Sequence, residues 1–430
     1  MQSWKKTFYI MWVAQFCSMM GFSFVFPFMP FYLRDHLGVT GEASVAWWAG
    51  MASSATGFSL MVFSPIWGHL ADRFGRKPMV LRSMFGGGVV IGLMAFARTS
   101  TDLVVLRAIQ GAFTGTLTAS VALVASVVPA RRAGFALGMM QAAAFAGTSV
   151  GPLFGGLLWE WWGPRPTFLL AGAVLALAGL VVKFGVVEHF VRHPEHEKEK
   201  RGSFGQVFAA TGFLVAAFVI FQIQFANMVR QPVFVLFIEK LHGTTEGAAS
   251  LVGKLAAAAG VVGAVFAVVF GRCSDAWGHK RTLVLCTMLA GIAVIPQAFS
   301  QKVWQMFALQ LIFGLGVAGM MPSVNVIVKN IMLPQNLGKA FGVTSSVRCL
   351  GMALGPLVGG YLAAHLGPDI RLRAPFLLTG VLLLATALLV LWQIGSKAGE
   401  PAPDPSRPEP AFDPGEGAGP SHELNQLEAE

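Results

Sequence analysis

Apolar residues fill this chain in stretches of about twenty, the length that crosses a hydrocarbon core as an α-helix. Short segments rich in Gly, Pro and charge separate them, and the pattern continues to Trp392. It predicts twelve helices, at residues 7–33, 46–70, 79–97, 102–126, 134–158, 166–187, 205–238, 248–271, 282–299, 303–328, 339–364 and 374–395. The fold class that follows is an all-α polytopic membrane protein. The basic start, with Lys5 and Lys6 before an apolar run, has the order of a signal peptide. The run is longer than a cleavable segment and contains Pro27 and Pro30, so it reads as the first helix.

The polar interruptions divide the chain. Residues 188–204 hold the charged stretch EHFVRHPEHEKEKRG and read as a linker between an N-terminal six-helix bundle, 1–187, and a C-terminal one, 205–395. The linker histidines and glutamates read as a solvated face and not as a metal site. Residues 396–430, rich in Pro, Gly and acids, are expected to be a disordered tail. The two halves repeat each other at an offset of 203 or 204 residues, the spacing from Asp72 to Asp275 and from Gly151 to Gly355. GHLADRFGRK at Gly68 is answered by GRCSDAWGHK at Gly271, pairing Asp72, Gly75 and Lys77 with Asp275, Gly278 and Lys280. GTSVGPLFGG at Gly147 is answered by GMALGPLVGG at Gly351, and Asp35 by Glu239. Such duplication predicts two pseudo-symmetric bundles about a central cavity, an architecture that can rock between two open states.

Composition agrees with a lipid environment. The chain is 55% hydrophobic and 12% charged, where soluble domains carry about 25% charged residues. Its mean hydropathy is +0.64. The net charge of +10 needs no nucleic acid. With both termini cytoplasmic, most of the 31 Lys and Arg fall on cytoplasmic segments or their edges, which is the positive-inside bias. Cys17, Cys273, Cys286 and Cys349 have no paired spacing, so neither a disulfide framework nor a thiolate metal site is expected. No phosphate-binding P-loop is present in the sequence, and no cofactor is implied. A cluster of His, Asp or Cys at membrane depth, which an embedded enzyme would need, is missing as well.

Three motifs carry more specific chemistry. In GHLADRFGRKP, Gly68 and Gly75 permit a tight turn and close helix approach, while Asp72, Arg73, Arg76 and Lys77 place charges at one membrane face. Those charges either fix topology or act in a conformational switch. In LRAIQGAFTG, Arg107 and Gln110 lie inside the fourth helix, where a guanidinium is costly without a wet cavity or a partner. Snorkelling to the nearby surface is the alternative. In the fifth helix, Gly147, Gly151, Pro152, Gly155 and Gly156 permit a bend and close packing.

On these motifs the chain resembles the major facilitator superfamily, specifically its twelve-helix drug/proton antiporters, and is similar to bacterial multidrug-resistance exporters. The resemblance implies that Asp72 faces the N-terminus of helix 11, near Gly338, while the cytoplasmic side is closed, and that Arg107 takes part in proton coupling. The motif in helix 5 implies export. Two departures stand out. The inner end of helix 4, VASVVPARRAG, lacks the acid that many relatives place there, and no acid sits at mid-membrane. Asp35 and Glu239 are the remaining candidates for proton binding, or are solvated helix-end charges.

In this fold helices 1, 4, 7 and 10 are expected to line the cavity. They offer Gln15, Met19 and Phe22, then Gln110, then Gln222, Gln224, Asn227 and Arg230, then Met321 and Asn325. Aromatic and thioether groups with scattered amides suit varied apolar ligands. Arg230 and Arg348, the latter deep in helix 11, add positive charge. The expected function is export of small, largely apolar compounds in exchange for protons across a bacterial inner membrane, by one chain acting as a monomer. A dedicated exporter of one sugar, siderophore or metabolite is the alternative.

Overall fold

The computed structural model describes residues 4–188, 204–333 and 336–393, so the tail and nearly all of the linker lie outside the described residues. The described chain forms helices and turns, with no strand. Twelve long helical units follow in order: α1 Trp4–His36, α2 Glu42–Phe74, α3 Arg76–Met94, α4 Ser100–Val127, α5 Ala130–Trp162, α6 Pro164–Gly185, α7 Phe213–His242, α8 Ala248–Trp277, α9 His279–Gln297, α10 Val303–Ile331, α11 Leu337–His365 and α12 Ala374–Gln393. A short helix, Phe204–Ala209, precedes α7 and splits what the sequence reads as one helix. Among the described helices ten are long and apolar enough to cross a membrane. The two outside that set are α2, which carries Ser53, Ser54, Thr56 and Ser59, and α3, which carries Arg76, Lys77 and Arg82. Both pack among the others.

Three units are broken, each for a local reason. In α1 the missing N–H groups of Pro27 and Pro30 tighten one turn, Phe26–Phe28, and a widened turn follows at Tyr32–His36. In α7 Pro232 restarts the helix after Arg230. In α4 Gly115 takes a φ of 126°, open to glycine, and divides Ser100–Phe113 from Thr116–Val127. The backbone groups freed there find partners on α2 and α3. Trp67 Nε1 donates to the Ala112 carbonyl at 2.6 Å and Arg82 Nη2 to those of Phe113 and Thr114 at 3.5 Å, while the Ser83 and Thr116 hydroxyls hydrogen-bond each other. Arg82 lies over the Trp67 ring, 3.7 Å from its centroid.

The bundles repeat one another in packing. α1 packs on α5 and α6, α3 on α6, and α2 on α4; in the second half α7 packs on α11 and α12, α9 on α12, and α8 on α10. The halves meet by exchange, α2 against α11 and α5 against α8. Large side chains such as Phe184, Leu388 and Trp392 are exposed around the outside, as a lipid-facing surface requires.

Equivalent turns also use equivalent residues. Gly75 and Gly278, at φ 95° and 91°, reverse the chain between α2 and α3 and between α8 and α9. Lys77 Nζ then donates to the carbonyls of Lys183 in the last turn of α6 and of Val186 just past it, at 2.8 and 2.6 Å, and Lys280 Nζ to that of Leu391 in α12 at 3.0 Å. A cation suits carbonyls left unpaired at a helix C-terminus. Glu188 completes the first turn, its carboxylate accepting from the N–H groups of Arg76 and Lys77 at 2.9 and 2.8 Å. We expect Lys280→Ala to cost about 0.5–1.5 kcal/mol, one hydrogen bond's worth. Lys77→Ala, losing two bonds, should cost more; thermal melts of the detergent-solubilised protein would rank the pair.

Candidate functional site: a cavity closed at one end

The glycine-rich motif of α5 and its copy in α11 decide how closely helices approach. Gly147, Gly151 and Gly155 lie on the backbone of α1 at Phe16, Met20 and Phe24. Gly351, Gly355 and Gly359 lie in the same way on α7 at Phe221, Phe225 and Val229. The next residue in each copy faces the other half. A methyl group on Gly156 would sit 2.5 Å from the Ala249 carbonyl oxygen of α8, and one on Gly360 would sit 2.8 Å from that of Ala46 in α2. The double glycine therefore has two faces, one for its own bundle and one for the partner half. Pro152 and Pro356 lie in this seam too, their carbonyl oxygens 2.4 and 2.5 Å from methyl positions on Gly253 and Gly50.

Polar contacts fasten the same end. Arg34 Nη1 at the tip of α1 donates to Glu239 Oε2 of α7 at 2.7 Å and its Nε to Asp35 at 2.7 Å, so the acids paired by the repeat share one guanidinium. Glu160, on the last turn of α5, accepts from the Ser250 N–H near the start of α8 at 2.8 Å. Ser53 Oγ donates to Gln231 Oε1 at 3.1 Å. At the opposite end, where α2 turns into α3 and α8 into α9, the halves stand apart. Methyl groups at Gly68, Gly134, Gly138, Gly271, Gly338 and Gly342 would meet nothing within 4 Å. The side chains of Asp72 and Asp275 lie outside the described part of the structure. Arg73, in the last turn of α2, is exposed, and Arg76 donates to the Ala122 carbonyl of α4 at 3.0 Å.

Between the ends lies a cavity of about 600 Å³, walled by α5, α7, α8, α10 and α11. Of the residues singled out in the sequence, Gln224, Asn227, Met321, Asn325 and Arg348 line it. Gln141, Ser149 and Gln310 add polar groups, and Phe145, Phe313 and Phe341 add aromatic ones. Gln141, Phe145, Asn325 and Phe341 are exposed, marking the open side. The remaining candidates lie elsewhere. Gln15 is fully buried in α1, Met19 packs at Gly147, and Phe22 packs against Gly87 of α3. Gln222 Nε2 donates to the Leu382 carbonyl of α12 at 3.1 Å. The cavity thus draws on the C-terminal bundle and α5, and not on α1 and α4. Hydropathy carries no signal for that choice, since a lipid face and a cavity face of one helix have similar composition.

Arg107 is 2% exposed, so it does not snorkel. Its Nη1 donates to Gln110 Oε1 at 2.6 Å and its guanidinium lies 5.1 Å from the centre of the Phe26 ring of α1. Its other two nitrogens have no hydrogen-bond partner among the described residues. Arg230, 8% exposed at the break in α7, donates from Nη1 to Gln310 Oε1 of α10 at 3.2 Å and lies 4.0 Å from the centre of the Phe313 ring. Neither arginine has a carboxylate partner among the described residues.

The family model described as Major Facilitator Superfamily matches residues 11–244 and 216–425. The chain is 33% identical over 369 residues to the multidrug resistance protein MdtG of Proteus mirabilis, covering 85% of this chain and 91% of that protein. It is 33% identical over 394 residues to MdtG of Serratia proteamaculans, covering 91% and 94%. Among solved structures, a bacterial homologue of the human lysosomal transporter Spinster in an inward-facing, occupied conformation superposes with a TM-score of 0.73 at 15% identity, over 92% of this chain and 98% of that one. The human organic anion transporter MFSD10 superposes with a TM-score of 0.66 at 16% identity, over 91% and 100%. Repeated bundles, a cavity between them, and a family match over both halves lead to one assignment: this multi-pass membrane protein belongs to the Major Facilitator Superfamily of transporters.

Proposed function

We propose that the protein exports small, largely apolar compounds from the cytoplasm of a bacterium across its inner membrane, in exchange for protons, by alternating access. The observation that carries this reading is the cavity itself, shut at one end by backbone-to-backbone packing and open at the other. We assign the open end to the cytoplasm, with both termini, because the basic loop residues Arg73, Arg76, Lys77, Lys280 and Arg281 gather there. The names of the MdtG relatives support a range of drug-like substrates, and the aromatic, Met and amide lining suits them. One chain encloses the cavity, so a monomer suffices.

In this reading the observed state takes up cargo from inside. Closing the inner end would bring α2 toward α11, where Asp72 would meet the N–H groups at the start of α11, and an interaction made in one state only biases the equilibrium between states. The test is accumulation of a panel of fluorescent compounds in cells expressing the protein, with and without an uncoupler. Lower accumulation of several unrelated compounds, restored by the uncoupler and by Asp72→Asn, is expected. Export of a single compound would instead identify a dedicated exporter. Unchanged accumulation of every compound despite confirmed membrane expression would overturn the efflux reading.

A further inference from the structure

The two buried arginines belong to corresponding contacts in the two halves but sit at different positions within them. By the repeat, Gln310 of α10 stands where Arg107 stands on α4, Phe313 where Gln110 stands, and Arg230 of α7 falls in the register of Phe26 and Pro27 of α1. Each half therefore builds one contact from an arginine, a glutamine and a phenylalanine, with the members permuted. In the first half the arginine and glutamine come from α4 and the ring from α1. In the second half the glutamine and ring come from α10 and the arginine from α7.

The permutation changes what the cavity sees. Arg107 and Gln110 are absent from its wall, whereas Gln310 and Phe313 form part of it with Arg230 directly behind. Among the described residues Arg230 Nε has no hydrogen-bond partner, and neither has the buried Asn227 Oδ1 one turn before it on α7. Arg348, exposed, lines the wall on α11. No carboxylate occurs among the described residues that line the cavity. A buried cation short of partners is costly, and an incoming anion relieves that cost where a cation would raise it. In a low-dielectric site the difference is large.

We propose that Arg230, working through Gln310, and Arg348 form an anion anchor in this cavity, so that the favoured cargo is an apolar molecule bearing one negative charge. This rests on the export reading for the cavity's role, and adds a charge preference to it. The apolar body would lie against Phe313, Phe341 and Met321, with its carboxylate or sulfonate toward the arginines.

The test uses the purified full-length protein in lipid nanodiscs and three radiolabelled probes sharing one ring system: 1-naphthylacetate, 1-naphthylacetamide and 1-naphthylmethylammonium. Naphthylacetate is expected to bind at least about tenfold more tightly than the ammonium probe. Both Arg348→Gln, whose side chain is exposed, and Arg230→Gln are expected to weaken naphthylacetate by about tenfold while leaving the neutral amide within about twofold. An ammonium probe that binds as tightly as the anion, or naphthylacetate affinity unchanged in both variants, would overturn the anchor. Amide binding together with uncoupler-sensitive export in cells would then leave the export reading standing. If none of the three probes binds, the anchor is refuted, and the cellular accumulation assay decides separately whether export survives.

Discussion

Gly156→Val is expected to stop transport without unfolding the protein, while Gly155→Val, one position earlier, is expected to unfold it. Gly155 rests on the Phe24 backbone of α1, within its own bundle, and Gly359 rests in the same way on Val229 of α7. A side chain at either position must push apart two helices of one bundle, whose contact a rocking of the halves as rigid bodies would leave unchanged. Such overpacking costs about 1–3 kcal/mol and more when the opposing atoms are backbone. Gly156 instead faces Ala249 and Ser250 of α8, across the seam between halves. A valine there destabilises only the state in which that seam is closed. Cysteine-labelling at this end should show it trapped open, with a normal melting profile and transport reduced to background. A melt of Gly156→Val as low as that of Gly155→Val would show that the two faces are not separate.

Arg107→Met is expected to move stability and transport in opposite directions. Among the described residues the buried guanidinium makes a single hydrogen bond, to Gln110, and two of its nitrogens have no partner. Replacing even a paired buried charge by apolar side chains of similar volume is often neutral or stabilising, by up to about 4 kcal/mol, and an arginine without an ion partner has less to lose. The melting temperature should therefore rise. If Arg107 serves proton coupling, uncoupler-sensitive efflux should fall at least about tenfold, the cost of one lost interaction of 1.4 kcal/mol in the rate-limiting step. Raised stability with intact efflux would assign the arginine no part in transport. The combination of a costly buried group and a stability penalty is what a functional site shows when activity, and not folding, retains it.

The helices and their duplication were legible because hydropathy reports burial in lipid and the motifs recur at one offset. The glycines of α5 and α11 were legible as close-packing positions. Their two-faced use was not, since it depends on which helix stands opposite. The cavity wall escaped for the same reason: Gln15 and Gln224 are alike in sequence, yet the first is enclosed in its bundle and the second faces the cavity. The break in α4 depends on the backbone of Gly115 and on carbonyl partners from Trp67 and Arg82, brought in from other helices. Glu188 reads as a linker charge and Glu160 carries no signal in the sequence; their roles appear only when the turn of α3 and Ser250 arrive beside them.

The closed seam also bears on what else crosses the membrane. Where Gly50, Gly57, Gly156, Gly253 and Gly360 bring main chain against main chain, few side chains intervene between the halves. A methyl group at these positions would meet backbone atoms at 2.4 to 2.8 Å, so a water molecule of similar size does not fit there and a file of waters for proton hopping cannot run across them. Each proton held back preserves about 2.3 kcal/mol per 100 mV of membrane potential. In the export reading the glycines are expected to act as electrical insulation, letting a moving protein sit in an energised membrane without short-circuiting it.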